Sequence, residues 1–106
     1  MSWTRALKAE ALDHGASSPV TLADEEIRLC RLENGAVFGV SDRCSHDGAG
    51  FEGGTVEGAR LTCPRHGAVF DLATGKALKM PAVAPIETYP VRVTDDGWIE
   101  VDVEEA

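Results

Sequence analysis

Two short stretches, "CSHDGAG" (residues 44–50) and "CPRHGAVFD" (residues 63–71), decide how this chain is read. The 106-residue sequence holds three cysteines and three histidines, and two of each fall in these stretches. Cys44 and His46 are separated by one residue, Cys63 and His66 by two. Thiolates and imidazoles are metal ligands, and two of each complete a four-donor set. Between the pairs, residues 48–58 read "GAGFEGGTVEG", with five glycines in eleven residues. Glycines gathered between and beside ligand pairs imply tight turns and backbone held close to something. A merely flexible surface loop would not confine them there.

The remainder of the chain bounds the answer. A length of 106 residues suits one domain, which can bury a core without disulfides. The formal charge of −8 repels nucleic acid and anionic membrane surfaces, so neither is expected as a partner. It suits a protein that meets a basic patch on another protein, or one that is simply very soluble. No apolar run approaches the ~20 residues that cross a bilayer, and the N-terminal segment lacks a signal-peptide h-region. The expected location is the cytoplasm, where cysteines serve more readily as ligands than as disulfide partners. Cys30, within "IRLCRLE", reads as a small buried hydrophobe, with a third thiolate ligand as the alternative. His14, in a polar Asp-His-Gly turn, reads as a surface residue.

Strand signals dominate. Ile27–Leu29 and Val37–Phe38 flank Asn34-Gly35, which predicts a hairpin with a type I′ turn. Ile86 to Val93 alternates before Asp96-Gly97, and Trp98 to Val103 alternates after it, giving a second hairpin. Thr55–Glu57, Arg60–Thr62 and Ala68–Phe70 are shorter candidates. Only Ala6 to Asp13 suggests a helical turn. The expected fold class is all-β, a small antiparallel sandwich or barrel, with both Cys/His loops at strand ends.

Two sulfur and two nitrogen donors fit either a tetrahedral zinc or a [2Fe–2S] cluster. Zinc knuckles usually pair like with like, whereas here each loop carries one Cys and one His. That suits a two-metal centre in which both thiolates bind one iron and both imidazoles the other. These motifs, with Phe70-Asp71, Thr74-Gly75 and Pro81 downstream, resemble the Rieske ferredoxins over about residues 36–103. The resemblance implies one Rieske domain over residues 1–106, an antiparallel β-sandwich carrying a cluster-binding subdomain with loops at about 43–50 and 63–68. It implies a [2Fe–2S] cluster as cofactor and metal centre, bound by Cys44, His46, Cys63 and His66, with no catalytic residue.

Departures from the family narrow it. High-potential Rieske proteins hold an extra cysteine in each loop, joined as a disulfide; the matching positions here are Ala49 and Arg65. They also carry Ser and Tyr hydroxyls directed at the cluster sulfurs, where this chain has Ala68 and Phe70. A low reduction potential is therefore expected. Terminal oxygenases add a mononuclear-iron domain for which this chain is too short. The small subunit of assimilatory nitrite reductase is a further relative, commonly without the ligands. The resemblance thus implies a monomeric one-electron carrier, not an enzyme. It would pass electrons from an NAD(P)H-dependent flavoprotein reductase to a Rieske non-haem iron oxygenase such as an aromatic-ring dioxygenase. The alternatives are an electron-transfer subunit of a nitrite-reductase-like complex and a zinc-stabilised interaction module. Asp24-Glu25-Glu26, Asp95-Asp96 and Glu104-Glu105 are candidates for long-range steering, with Arg43, Arg65 and Asp47 placed for local docking.

Overall fold

The structure is a computed structural model that describes residues 2–45, 48–65, 67–80 and 84–103. Among these, three antiparallel sheets account for nearly all the regular structure. One has the order β1 (Trp3–Lys8), β11 (Trp98–Asp102), β10 (Val91–Val93). A second runs β2 (Ser17–Leu22), β3 (Glu25–Arg31), β4 (Val37–Ser41), β9 (Thr88–Tyr89). The third holds β5 (Thr55–Glu57), β6 (Arg60–Thr62), β7 (Val69–Asp71) and β8 (Ala77–Lys79). The all-β expectation holds.

Strand β3 explains how the layers meet. Its residues Ile27 to Cys30 are all buried, so both of its faces are covered. Alternation sends Ile27 and Leu29 to one face, where they pack with Leu12, Ile99, Val101 and Val103. Cys30 faces the other way, into a cluster with Val40, Phe51, Leu61, Phe70 and Ile86. The second sheet therefore lies between the first sheet and the β5–β8 unit. Arg28 shares the Cys30 face and is also buried, so its charge requires a partner there.

Both expected hairpins form, but the turn of the first differs from the expectation. At Asn34-Gly35 only Gly35 has positive φ (+93°), so the turn is not type I′. The Leu32 carbonyl accepts the Gly35 N–H, and the Leu32 N–H donates to the Ala36 carbonyl. That is a type I turn closed by a left-handed glycine, the three-residue solution. Thr94 to Trp98 repeats it around Gly97 (φ +85°).

The helical turn expected within Ala6–Asp13 forms only in part. Its first residues continue β1, which pairs with β11 from Trp3 to Lys8, and only Ala9–Ala11 make a 3-10 turn. An available edge on β11 outweighs the helix preference of an Ala/Leu/Lys/Glu run. The strand expected over Ile86–Val93 begins at Thr88 and divides at Pro90, which has no N–H to continue a ladder. Its first half pairs with β4, its second with β11. Strands β2 and β8 were not expected.

Candidate metal centre

Two loops carry the candidate ligands, one between β4 and β5 and one between β6 and β7. In the first, the Cys44 N–H donates to the Ala49 carbonyl (2.8 Å) and the Gly48 N–H to the Cys44 carbonyl (2.7 Å). In the second, the Cys63 N–H donates to the Ala68 carbonyl (2.7 Å) and the Gly67 N–H to the Cys63 carbonyl (3.1 Å). The two loops thus close by one hydrogen-bond pattern, Cys to Ala five residues on and Gly back to Cys. Gly48 (φ +73°) and Gly67 (φ +75°) occupy equivalent places. A Cβ at either would meet nothing within 4 Å, so backbone angle rather than crowding calls for glycine.

This closure carries both cysteines inward. Cys44 and Cys63 are 0% and 1% exposed and join a single apolar cluster with Phe51, Leu61, Ala68, Phe70 and Leu72. The Phe51 and Phe70 rings meet edge to face at 5.6 Å. None of the three cysteines is disulfide-bonded. His46 and His66 lie outside the described residues, as do Asp47 and Pro81. Among the described residues, no three His, Cys, Asp or Glu side chains gather into a competing metal site. Two buried thiols sharing one core, each at the head of a matched loop whose sequence supplies a histidine, fit a centre bound by two sulfurs and two nitrogens. A [2Fe–2S] group of the Rieske type uses that donor set.

The ground beneath the first loop is polar and buried. Asp42, two residues before Cys44, accepts the Arg28 Nε–H (3.0 Å) and the Phe51 N–H (2.9 Å) on Oδ1. Its Oδ2 accepts from Arg28 Nη2 (3.2 Å), which also donates to Glu52 Oε2 (3.2 Å). Arg28 Nη1 donates to Ser17 Oγ (3.2 Å). Burial works against the guanidinium charge, but Asp42 and then Glu52 outweigh it, and the Arg28 pKa ends above its ordinary value. One arginine thereby joins β2, β3 and both ends of the first loop. Ser45 Oγ adds a tie to the Ala84 carbonyl (2.6 Å).

The other expected residues sort as follows. Cys30 is fully buried in mid-strand opposite Ser17 and Phe38, and burial pushes its thiol up to about 12. Those are the properties of the buried hydrophobe expected from sequence. His14 is exposed, and its Nδ1–H donates to the Glu33 carbonyl (2.8 Å). Arg43 is engaged by Glu26 (2.7 Å), and Asp96 by Arg5 (3.3 Å). Arg65 turns back on the first loop, donating to the Gly50 (2.7 Å) and Ala49 (3.3 Å) carbonyls. Ala68 and Phe70 are wholly buried beside the cysteines and offer no side-chain donor. Asp71, Thr74 and Gly75 build the turn into β8, where Thr74 Oγ1 donates to Asp71 Oδ2 and Gly75 N–H to the Asp71 carbonyl. Sequence reasoning missed the Arg28–Asp42 support. Its signal was present: an arginine inside the apolar run "IRLC" must find a buried partner.

Comparison with known proteins identifies the family. The family model for the Rieske [2Fe–2S] domain matches residues 2–90. The 3-phenylpropionate/cinnamic acid dioxygenase ferredoxin subunit of Photorhabdus laumondii is 49% identical over 73 residues, 68% of this chain and 69% of that protein. The ferredoxin in a complex of reduced oxygenase and oxidised ferredoxin of carbazole 1,9a-dioxygenase superposes with a TM-score of 0.87 at 25% identity. That match covers 98% of this chain and 95% of the other. A Mycobacterium tuberculosis chain provisionally assigned as the small subunit of an NADH-dependent nitrite reductase gives 0.89 at 29% identity, covering 99% and 97%. Among the described residues, no helix is long and apolar enough to cross a membrane. With two matched Cys loops over one buried sulfur pair, and a family match across most of its length, this chain belongs to the Rieske [2Fe–2S] family.

Proposed function

We propose that this protein is the ferredoxin component of an oxygenase system: a one-electron carrier from a flavoprotein NAD(P)H reductase to the Rieske centre of a terminal oxygenase. The carrying observation is the pair of identically closed loops that bury Cys44 and Cys63 in one core. Cys44, His46, Cys63 and His66 are the ligands in this reading. When bound, a Rieske [2Fe–2S] group accepts and releases a single electron. The chain's own part would be to hold the group against the buried core that Phe51 and Phe70 share with both cysteines, and to set its potential. Ala68 and Phe70 give the cluster sulfurs no hydroxyl, so the potential belongs near the bottom of the Rieske range of roughly −150 to +300 mV. Such a carrier acts as a monomer in the cytoplasm. Kinship with the dioxygenase ferredoxins supports an aromatic-ring dioxygenase as the electron acceptor.

The test is reconstitution. Product formation by a reductase and a terminal oxygenase should depend on added ferredoxin. The rate at sub-saturating ferredoxin should fall as salt rises, because exposed charges act over about 8 Å at physiological ionic strength. An oxygenase rate unaffected by omitting the chain would overturn the reading. A second reading has its own support in the likeness to the Mycobacterium chain: a subunit held permanently in a nitrite-reductase-like complex. Co-purification with a large redox partner at physiological salt, rather than isolation as a separate carrier, would favour it.

A further inference from the structure

We infer that Arg65 is a positioning residue that clasps the two Cys loops together. The inference rests on the four-ligand reading above, since its purpose is to hold two half-sites in register. Each loop is closed within itself by the hydrogen bonds of its own cysteine, so self-closure alone does not fix one loop against the other. Arg65 lies in the second loop, next in sequence to His66, and its guanidinium reaches the backbone of the first. Nη1 donates to the Gly50 carbonyl at 2.7 Å and Nη2 to the Ala49 carbonyl at 3.3 Å. The Ala49 oxygen is the same atom that accepts the Cys44 N–H and closes the first loop. The clasp therefore grips the first loop at its closing bond. Successive carbonyls at this spacing match the planar fork of a guanidinium, which binds two acceptors with little further loss of freedom. A lysine ammonium would carry the same charge but cannot present that fork.

Two properties separate when Arg65 is changed: the fork, which holds the loops, and the positive charge beside the centre, which favours uptake of an electron. Wild type, Arg65→Lys and Arg65→Ala would each be purified with their cluster. Decay of visible absorbance under excess chelator would be followed in the oxidised state, and the reduction potential measured for each. Loss of a charge-assisted pair at an exposed site should speed cluster loss by roughly 3- to 10-fold in both variants. The potential should fall in Arg65→Ala and stay at the wild-type value in Arg65→Lys. A merely structural surface arginine would not divide the two readouts in this way. If Arg65→Ala does not accumulate with cluster, Arg65→Lys carries the test alone. Decay of Arg65→Lys at the wild-type rate overturns the clasp while leaving the ligand assignment standing. A wild-type protein with no [2Fe–2S] spectrum removes the ligand assignment, and the clasp with it.

Discussion

The two ends of this molecule are stabilised in different ways. The base is made of strands β1 to β4 and β11, five to seven residues each, joined by the short β9 and β10. Its core of Ile27, Leu29, Ile99 and Val101 is wholly aliphatic and fully buried. The other end is built from four strands of only three residues. Its core holds both candidate ligand cysteines among its buried members. A three-residue strand contributes few ladder bonds, so order at that end must come from elsewhere: from Phe51 on Phe70, from the Arg28–Asp42 anchor, and from whatever the thiols bind. The contrast teaches where ligation would matter: the base rests on aliphatic packing, whereas a cluster bound by Cys44 and Cys63 would couple folding of the loop end to ligation.

The largest expected break of this contrast is Cys63→Ser. It should eliminate the [2Fe–2S] spectrum and raise proteolytic sensitivity within the β5–β8 unit. The base should stay protected, which mass spectrometry of the fragments would reveal. Cleavage spread evenly over both ends would mean that the base also depends on the ligand. Next in size is Arg28→Met, which removes the cation that faces Asp42 and leaves its carboxylate with the Phe51 N–H under the first loop. Removing one partner of a buried pair costs about 3–5 kcal/mol, to be measured by chemical denaturation. Smaller again is tuning of the centre itself. Phe70→Tyr and Ala68→Ser should each raise the potential by about 20–60 mV if the new hydroxyl reaches a sulfur, the worth of one net hydrogen bond in a one-electron couple. The smallest effect belongs to Cys30. Cys30→Ala should cost about 1 kcal/mol and leave the cluster spectrum unchanged, as suits a residue used only for packing. Burial holds the Cys30 thiol at about 12 against an ordinary 9.0. The unfolded chain therefore loses this proton first, and the stability from this site declines as pH rises from 9.0 toward 12. The thiol should resist alkylation at neutral pH until the protein unfolds.

The same contrast explains what could be read from sequence. Strands β3, β4 and β11 alternate or run apolar, and glycines mark their turns, so both hairpins were legible. The turn geometry at Asn34-Gly35 was not, because Asn-Gly serves a type I turn closed by glycine as well as it serves type I′. Strand β2, "SSPVTL", was hidden by its serines and by Pro19, which an edge strand tolerates. Strand β1 was hidden because its local preference is helical and only pairing with β11 makes it extended. At the site, the Cys/His spacing singled out four candidate ligands at once, of which Cys44 and Cys63 share one buried core and His46 and His66 fall outside the described residues. The matched closure of the two loops, the Arg28–Asp42 anchor and the grip of Arg65 were not legible. They depend on which backbone carbonyls come within reach, and side-chain identity alone does not give that.

The most direct measurement is a combined metal, sulfide and redox analysis of the purified wild-type chain. The account predicts two irons and two acid-labile sulfides per chain, a red-brown colour in the oxidised state, and bleaching by one electron equivalent of dithionite. A colourless protein holding one zinc per chain, unmoved by dithionite, would contradict it.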